Sequence, residues 1–205
     1  MRILFQGDSI TDTGRVRDLD RSLGSGYALL TAAALTYEAP KAYECLNRGI
    51  SGNRIVDVYA RMKVDIVNLR PDVMSILIGV NDVWHELARQ NGVRAEKFYK
   101  VYRMLLEEVR AELPDIKLML LEPFALPGTS TNEFYDAFRA EVALRADAVR
   151  RLAEEFGAVF VPLQAGFDEL SQKTAPDVWL TDGVHPTPAG HEYIKSRWLA
   201  AFRAL

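Results

Sequence analysis

The sequence predicts an α/β fold, a three-layer αβα sandwich built on a five-stranded parallel sheet. Three observations predict it. Short β-type runs alternate with longer segments of helical period along the chain, the alternation that a parallel sheet covered by helices requires. Most of those runs are near-continuously apolar, as in Val73-Met74-Ser75-Ile76-Leu77-Ile78, which suits strands buried on both faces. Finally, no Pro/Gly/Ser-rich linker, composition shift or internal repeat divides the 205 residues. A chain of that length reads as one domain spanning 1–205.

In chain order, the first strand is expected over Ile3–Gln6 and the second over Ala42–Leu46, with Cys45 as a small buried hydrophobe. The third follows over Val73–Ile78. A helix should then place Phe98, Val101, Leu105, Val109 and Leu113 on one face, ahead of a fourth strand at Lys117–Leu121. Phe134, Phe138, Val142, Val149, Leu152 and Phe156 recur in steps of three, four or seven and mark the next helix, followed by a strand at Ala158–Val161. The last helix has Thr187 as N-cap and Pro188 at its first position, then Tyr193, Ile194, Trp198 and Phe202.

Composition narrows the function. Lys plus Arg (25) nearly cancels Asp plus Glu (28), for a net charge of -3, and no basic run forms a stripe, so nucleic acid is not an expected partner. No segment has the roughly 20 apolar residues of a membrane span, and the first residues turn polar too soon for a signal peptide. A single cysteine fits a reducing compartment. A cytoplasmic protein that binds no membrane is expected.

In sheets of this kind ligands bind beyond the carboxyl ends of the strands, and these ends carry unusual chemistry here. Gly7-Asp8-Ser9-Ile10-Thr11-Asp12-Thr13-Gly14 follows the first strand. Its serine would sit on a tight turn at the lip of the sheet, with a backbone N–H free to face a developing oxyanion. Taken alone, the tripeptide is more often a polar turn whose Asp or Ser caps a helix. After the second strand comes Asn47-Arg48-Gly49-Ile50-Ser51-Gly52-Asn53, where glycine lets a backbone N–H approach a substrate or simply makes a turn. After the third comes Gly79-Val80-Asn81-Asp82-Val83-Trp84, where Asn81 can offer its side-chain amide to the same pocket or cap a helix. Trp84 could wall the pocket, carry a sugar ring or belong to the core, and Tyr27 and Phe124 have similar standing. Near the C-terminus, Thr181-Asp182-Gly183-Val184-His185-Pro186 puts an acid three residues before a histidine. The acid can hold one ring nitrogen while the other faces the serine. His85 and His191 each precede a glutamate without completing a His-Glu-x-x-His motif, and no metal is expected.

Together the four stretches resemble, in order, the four blocks of the SGNH hydrolase superfamily, the GDSL esterases, whose fold is a flavodoxin-like five-stranded parallel sheet. The resemblance spans Gly7 to His185. It implies Ser9 as nucleophile, the N–H groups of Ser9 and Gly52 with the Asn81 side chain as oxyanion hole, and Asp182 and His185 as the remaining triad members. Gly14-Arg15, Leu23-Gly24-Ser25-Gly26-Tyr27 and Arg48 to Asn53 resemble one branch in particular, the intracellular acetyl xylan esterases and related carbohydrate acetylesterases. That implies a small acylated substrate such as an acetylated sugar, no cofactor, and a homo-oligomer. Asp8, Trp84, Tyr27 and Val184 are the expected substrate contacts. Rivals are a lysophospholipase or thioesterase with the same triad, a flavodoxin-like binding protein, against which Asp8 and Asp12 would repel a phosphate, and a non-catalytic carbohydrate binder. The Gly-x-Ser-x-Gly elbow of the α/β-hydrolases is absent.

Overall fold

A computed structural model describes residues 1–205. Along the chain lie β1 (Arg2–Gly7), α1 (Ser9–Asp12), α2 (Tyr27–Glu38), β2 (Glu44–Asn47), α3 (Ile55–Ala60), α4 (Met62–Asp65) and β3 (Val73–Leu77). There follow α5 (Val80–Arg89), α6 (Ala95–Glu112), β4 (Lys117–Leu121), α7 (Tyr135–Glu155), β5 (Val159–Val161), α8 (Gln164–Lys173) and α9 (Pro188–Phe202). The strands form one sheet in the order β2-β1-β3-β4-β5, with every neighbouring pair parallel. Helical crossovers join them, as parallel pairing demands.

The pleat divides the apolar residues between two cores. Ile3, Phe5, Val73, Leu77, Met119 and Leu121 face one side, packing with Tyr27, Leu35, Phe138, Ile194 and Trp198 of the covering helices. Leu4, Met74, Ile76, Leu118 and Leu120 face the other, against Ile55, Phe98, Tyr102, Leu105 and Val149. Fully burying one such side chain stabilises the fold by about 1.5–3 kcal/mol, so the sheet is fastened from both faces. No helix is long and apolar enough to cross a membrane.

Strand limits differ from the expected ones where pairing decides them. β2 starts at Glu44 rather than Ala42 because Glu44 is the residue opposite Arg2, where β1 itself begins. β3 ends at Leu77, opposite Gly7, one residue short of Ile78. β5 starts at Val159 because its register opposite β4 begins with Met119. The chain runs from β1 to β2 on one side and returns to β3 on the other, so the connections leaving β1 and β3 diverge. A crevice opens at that switch point, and Ser9 and Asn81 follow the two strands that border it.

Candidate active site

β1 enters α1 through Gly7, where a Cβ would lie 2.3 Å from the Leu77 carbonyl oxygen and 2.5 Å from Thr11 Oγ1. Only glycine permits so close a turn. Asp8 then caps α1, its Oδ1 accepting the Ile10 N–H at 3.0 Å. Capping and presentation of the serine are therefore one structure. Ser9 opens the helix, where first-turn N–H groups lack intrahelical acceptors. Its Oγ lies 2.9 Å from His185 Nε2, and His185 Nδ1 lies 2.8 Å from Asp182 Oδ2. Asp182 Oδ1 accepts the N–H groups of Val184 at 3.0 Å and His185 at 2.8 Å, while Ser130 Oγ donates to Oδ2 at 3.2 Å. With Nδ1–H directed at the carboxylate, Nε2 is left as an acceptor for the serine proton. The Trp84 ring stands 5.7 Å from that of His185 and meets Phe138 edge to face.

The electrostatics follow from these contacts. Burial pushes the Asp182 carboxyl up, but the hydrogen bonds from the His185 ring and from the backbone N–H groups of His185 and Val184 outweigh it and hold the group well below the usual carboxylate range. The hydrogen bond to Asp182 in turn raises His185 above the ordinary imidazole value, against the opposing effect of burial. A serine hydroxyl, a basic imidazole and an ionised orienting carboxylate are thus aligned, the arrangement that activates a hydroxyl for attack on an acyl carbon.

Ser9 and His185 open into a hollow of about 230 Å³, lined also by Ser51, Gly52, Asn81 and Trp84. Gly52 occupies the third position of a turn closed by Asn53 N–H to Ile50 O at 3.1 Å, with φ +81°, a conformation that favours glycine there. Asn81 Nδ2 donates to the Asn53 carbonyl at 3.2 Å, which ties the third block to the second. A larger hollow of about 550 Å³ lies at the other end of the sheet, bordered by Met1, Arg70 and Lys117. It contains no nucleophile beside a base, whereas the smaller one does.

Residues 5–193 match the GDSL-like Lipase/Acylhydrolase family. The chain belongs to that family. It is 34% identical to an acetylxylan esterase of Geobacillus stearothermophilus over 97% of this chain and 92% of that protein. The solved structure of that organism's acetylxylan esterase superposes with a TM-score of 0.88 at 32% identity, over 98% of this chain and 93% of the other. A GDSL-like lipase from Parabacteroides merdae superposes with a TM-score of 0.91 at 38% identity, over 98% and 94%. The fold is that of SGNH hydrolases, and the chain is a carboxylic ester hydrolase of the GDSL family.

Against that GDSL framework, the structure draws Ser9, Gly52, Asn81, Trp84 and His185 to one hollow, with Asp182 behind His185. Three expected substrate contacts lie elsewhere. Asp8, Tyr27 and Val184 are completely buried, so none presents a side chain to a ligand. Asp8 serves as the cap described above, and its burial pushes its carboxyl up to about 7. Tyr27 points into the sheet, where its hydroxyl meets Thr11 Oγ1 at 3.0 Å. Val184 contributes its backbone N–H to Asp182, its side chain directed into the core. Phe124 is core as well, its ring tilted against that of Phe167 at 4.5 Å between centroids. His191 accepts the Tyr27 N–H at 3.1 Å, and burial lowers it to about 4, so it is a neutral brace for the start of α2. Cys45, expected to be buried, is only half-buried at the edge of the core because β2 is an edge strand, and that cover raises its thiol to about 11, leaving it inert at neutral pH.

Other lining residues were not anticipated. His85, Ala88 and Arg89 join Asn81 and Trp84 along the hollow. Their offsets from Asn81 (four, seven and eight, with Trp84 at three) are those of one helical face, a signal readable once a helix is placed after the third strand. Ser130, Asp12 and Arg61 leave no such local signal. Asp12 Oδ2 accepts the Ser51 N–H at 2.9 Å, and Arg61 reaches Gln6 Oε1 at 2.7 Å and Asn53 Oδ1 at 2.7 Å, so these two side chains lock the second block to the first.

Proposed function

We propose that the protein is a serine acetylesterase that removes O-acetyl groups from sugars or xylo-oligosaccharides through Ser9, His185 and Asp182. The observation that carries this reading is the unbroken hydrogen-bonded chain from Asp182 through His185 to Ser9, opening on a small hollow walled by Trp84. Ser9 Oγ attacks the ester carbonyl while its proton passes to His185 Nε2. The carbonyl oxygen, now an alkoxide, is met by the N–H groups of Ser9 and Gly52 and the Asn81 amide. Collapse breaks the bond to the alcohol oxygen, which leaves with the proton from His185. Water then attacks the acetyl-serine, gives its proton to the same nitrogen, and acetate departs as Ser9 recovers it.

The acetyl preference rests on the confined hollow and on the likeness to an acetylxylan esterase. It is tested by comparing acetate and octanoate esters of 4-nitrophenol, together with acetate release from acetylated xylo-oligosaccharides. The reading predicts a higher kcat/KM on the acetate ester and acetate release from the sugars. Preference for octanoate with no release from sugars overturns it in favour of a lysophospholipase or thioesterase.

A further inference from the structure

Ser9 borders a second hollow that the acyl chemistry does not use. It has a volume of about 370 Å³ and no apolar side chain in its lining. Asp12, Thr13, Arg15 and Arg17 form its walls, and it shares Ser9 and Ser51 with the first. The ester group must lie in the first hollow, because Gly52, Asn81 and His185 all line it. An alcohol too large for that space passes over Ser9 and Ser51 into the second.

Arg15 is only 8% exposed and its Nε donates to the Gly49 carbonyl at 2.8 Å, but no carboxylate pairs with its guanidinium. Its charged neighbours are two more guanidinium groups, Arg17 and Arg48, and the carboxylates of Asp12 and Asp65, and Arg48 is held by Asp20 at 2.5 Å and by Asp65 at 3.7 Å. The sequence counted Asp12 against an anion at this position. In the fold its carboxylate is nearly covered and already occupied by the Ser51 N–H at 2.9 Å, the Arg15 N–H at 3.2 Å and Arg17 Nη2 at 3.3 Å. Arg89 adds a further cation to the lining of the first hollow. A buried, incompletely paired cation is stabilised by an incoming anion.

Resting on the acetylesterase reading, we propose that this polar hollow is the subsite for the alcohol half of the substrate and that it selects alcohols bearing an anionic group, a carboxylate or a phosphate, beside the acetylated hydroxyl. Arg15 and Arg17 hold the anion, and the exposed Ser51 borders the remaining polar atoms.

The test compares three acetylated methyl glycosides: a neutral glucoside, a glucuronoside, and a glucoside carrying a 6-phosphate. Wild type should favour at least one of the anionic esters over the neutral one by roughly tenfold in kcat/KM, the scale of one charged hydrogen bond, and the two anions identify the source of the charge. Arg17→Gln should bring that ratio close to one, mainly through KM, and Arg17→Lys should restore part of it. Added salt should narrow the ratio in wild type. A ratio near one in wild type, or one that Arg17→Gln leaves unchanged, overturns the proposal. Titrating the deacetylated methyl glucuronoside and glucoside 6-phosphate into Ser9→Ala reads the subsite without turnover. Anion binding there beside an inactive wild type would count against the esterase reading alone, and no binding would count against the subsite.

Discussion

Four donors converge on the Asp182 carboxylate: the His185 ring, the backbone N–H groups of Val184 and His185, and the Ser130 hydroxyl. The His185 ring and the two backbone groups keep it ionised, and the ionised group keeps His185 more basic than a free imidazole. A general base must be neutral to accept a proton. Raising its pKa therefore moves the acid limb of the kcat/KM profile to higher pH, and the midpoint should lie above the ordinary value of about 6.5. Asp182→Asn should lower the midpoint together with the rate, and a pH profile of both proteins checks it. Asn81 is the proposed side-chain donor at the other end of the reaction. Asn81→Ala should reduce kcat by roughly two to three orders of magnitude, or about 2.7–4 kcal/mol, with the thermal midpoint little changed. Stopped-time assays beside a melting curve separate the two effects. That Ser9, Asn81 and His185 meet at one hollow was legible because each stands beside a strand end or helix start that the apolar pattern marks. Ser130 was not, since it meets Asp182 across 52 residues with no periodicity to announce it. Proximity in sequence misled at Val184, which lies between Asp182 and His185 but turns its side chain inward.

Among the elements, those with a clear stripe or cap were legible. α7 and α6 occupy the predicted segments to within a few residues because their apolar faces recur at helical spacing. α9 starts where Thr187 and Pro188 indicate, with Thr187 Oγ1 accepting the Gly190 N–H at 3.1 Å. Thr187→Ala should destabilise the protein by about 1 kcal/mol, to be measured by denaturant unfolding with activity retained until the transition. α2 gives no such signal. Its sequence, Tyr-Ala-Leu-Leu-Thr-Ala-Ala-Ala-Leu-Thr-Tyr-Glu, is apolar nearly all round and shows no polar stripe. α3 and α4 are six and four residues long, too short for a period to emerge. Their position is set instead by distant partners. Both Asp82 oxygens accept the Ile55 N–H at the start of α3, at 3.1 and 3.2 Å.

At the scale of the whole molecule, the two cores fix the sheet, and the sheet fixes the site. The class of fold was legible because strands buried on both faces must be apolar throughout, whereas the depth at which polar groups lie beneath the crevice was not. Asp8 and Asp82 are completely buried, and burial pushes their carboxyls up to about 7 and about 8. Between the ordinary carboxylate range and those values, the unfolded chain has lost these protons and the folded chain keeps them. Stability is then full below about pH 4 and is lost as the pH rises through the folded values. Asp82→Asn, which can still accept the Ile55 N–H, should melt higher relative to wild type at pH 8 than at pH 5, and an equal difference at both would contradict the assignment. Every element of the catalytic account nevertheless converges on one hydroxyl, placed by Gly7 at the switch point of the sheet. The most direct test is hydrolysis of 4-nitrophenyl acetate by wild type and Ser9→Ala, with folding verified by circular dichroism. The account predicts ready turnover by wild type and a loss of roughly four orders of magnitude or more in kcat for a folded Ser9→Ala, whereas a variant that kept most of the activity would contradict it.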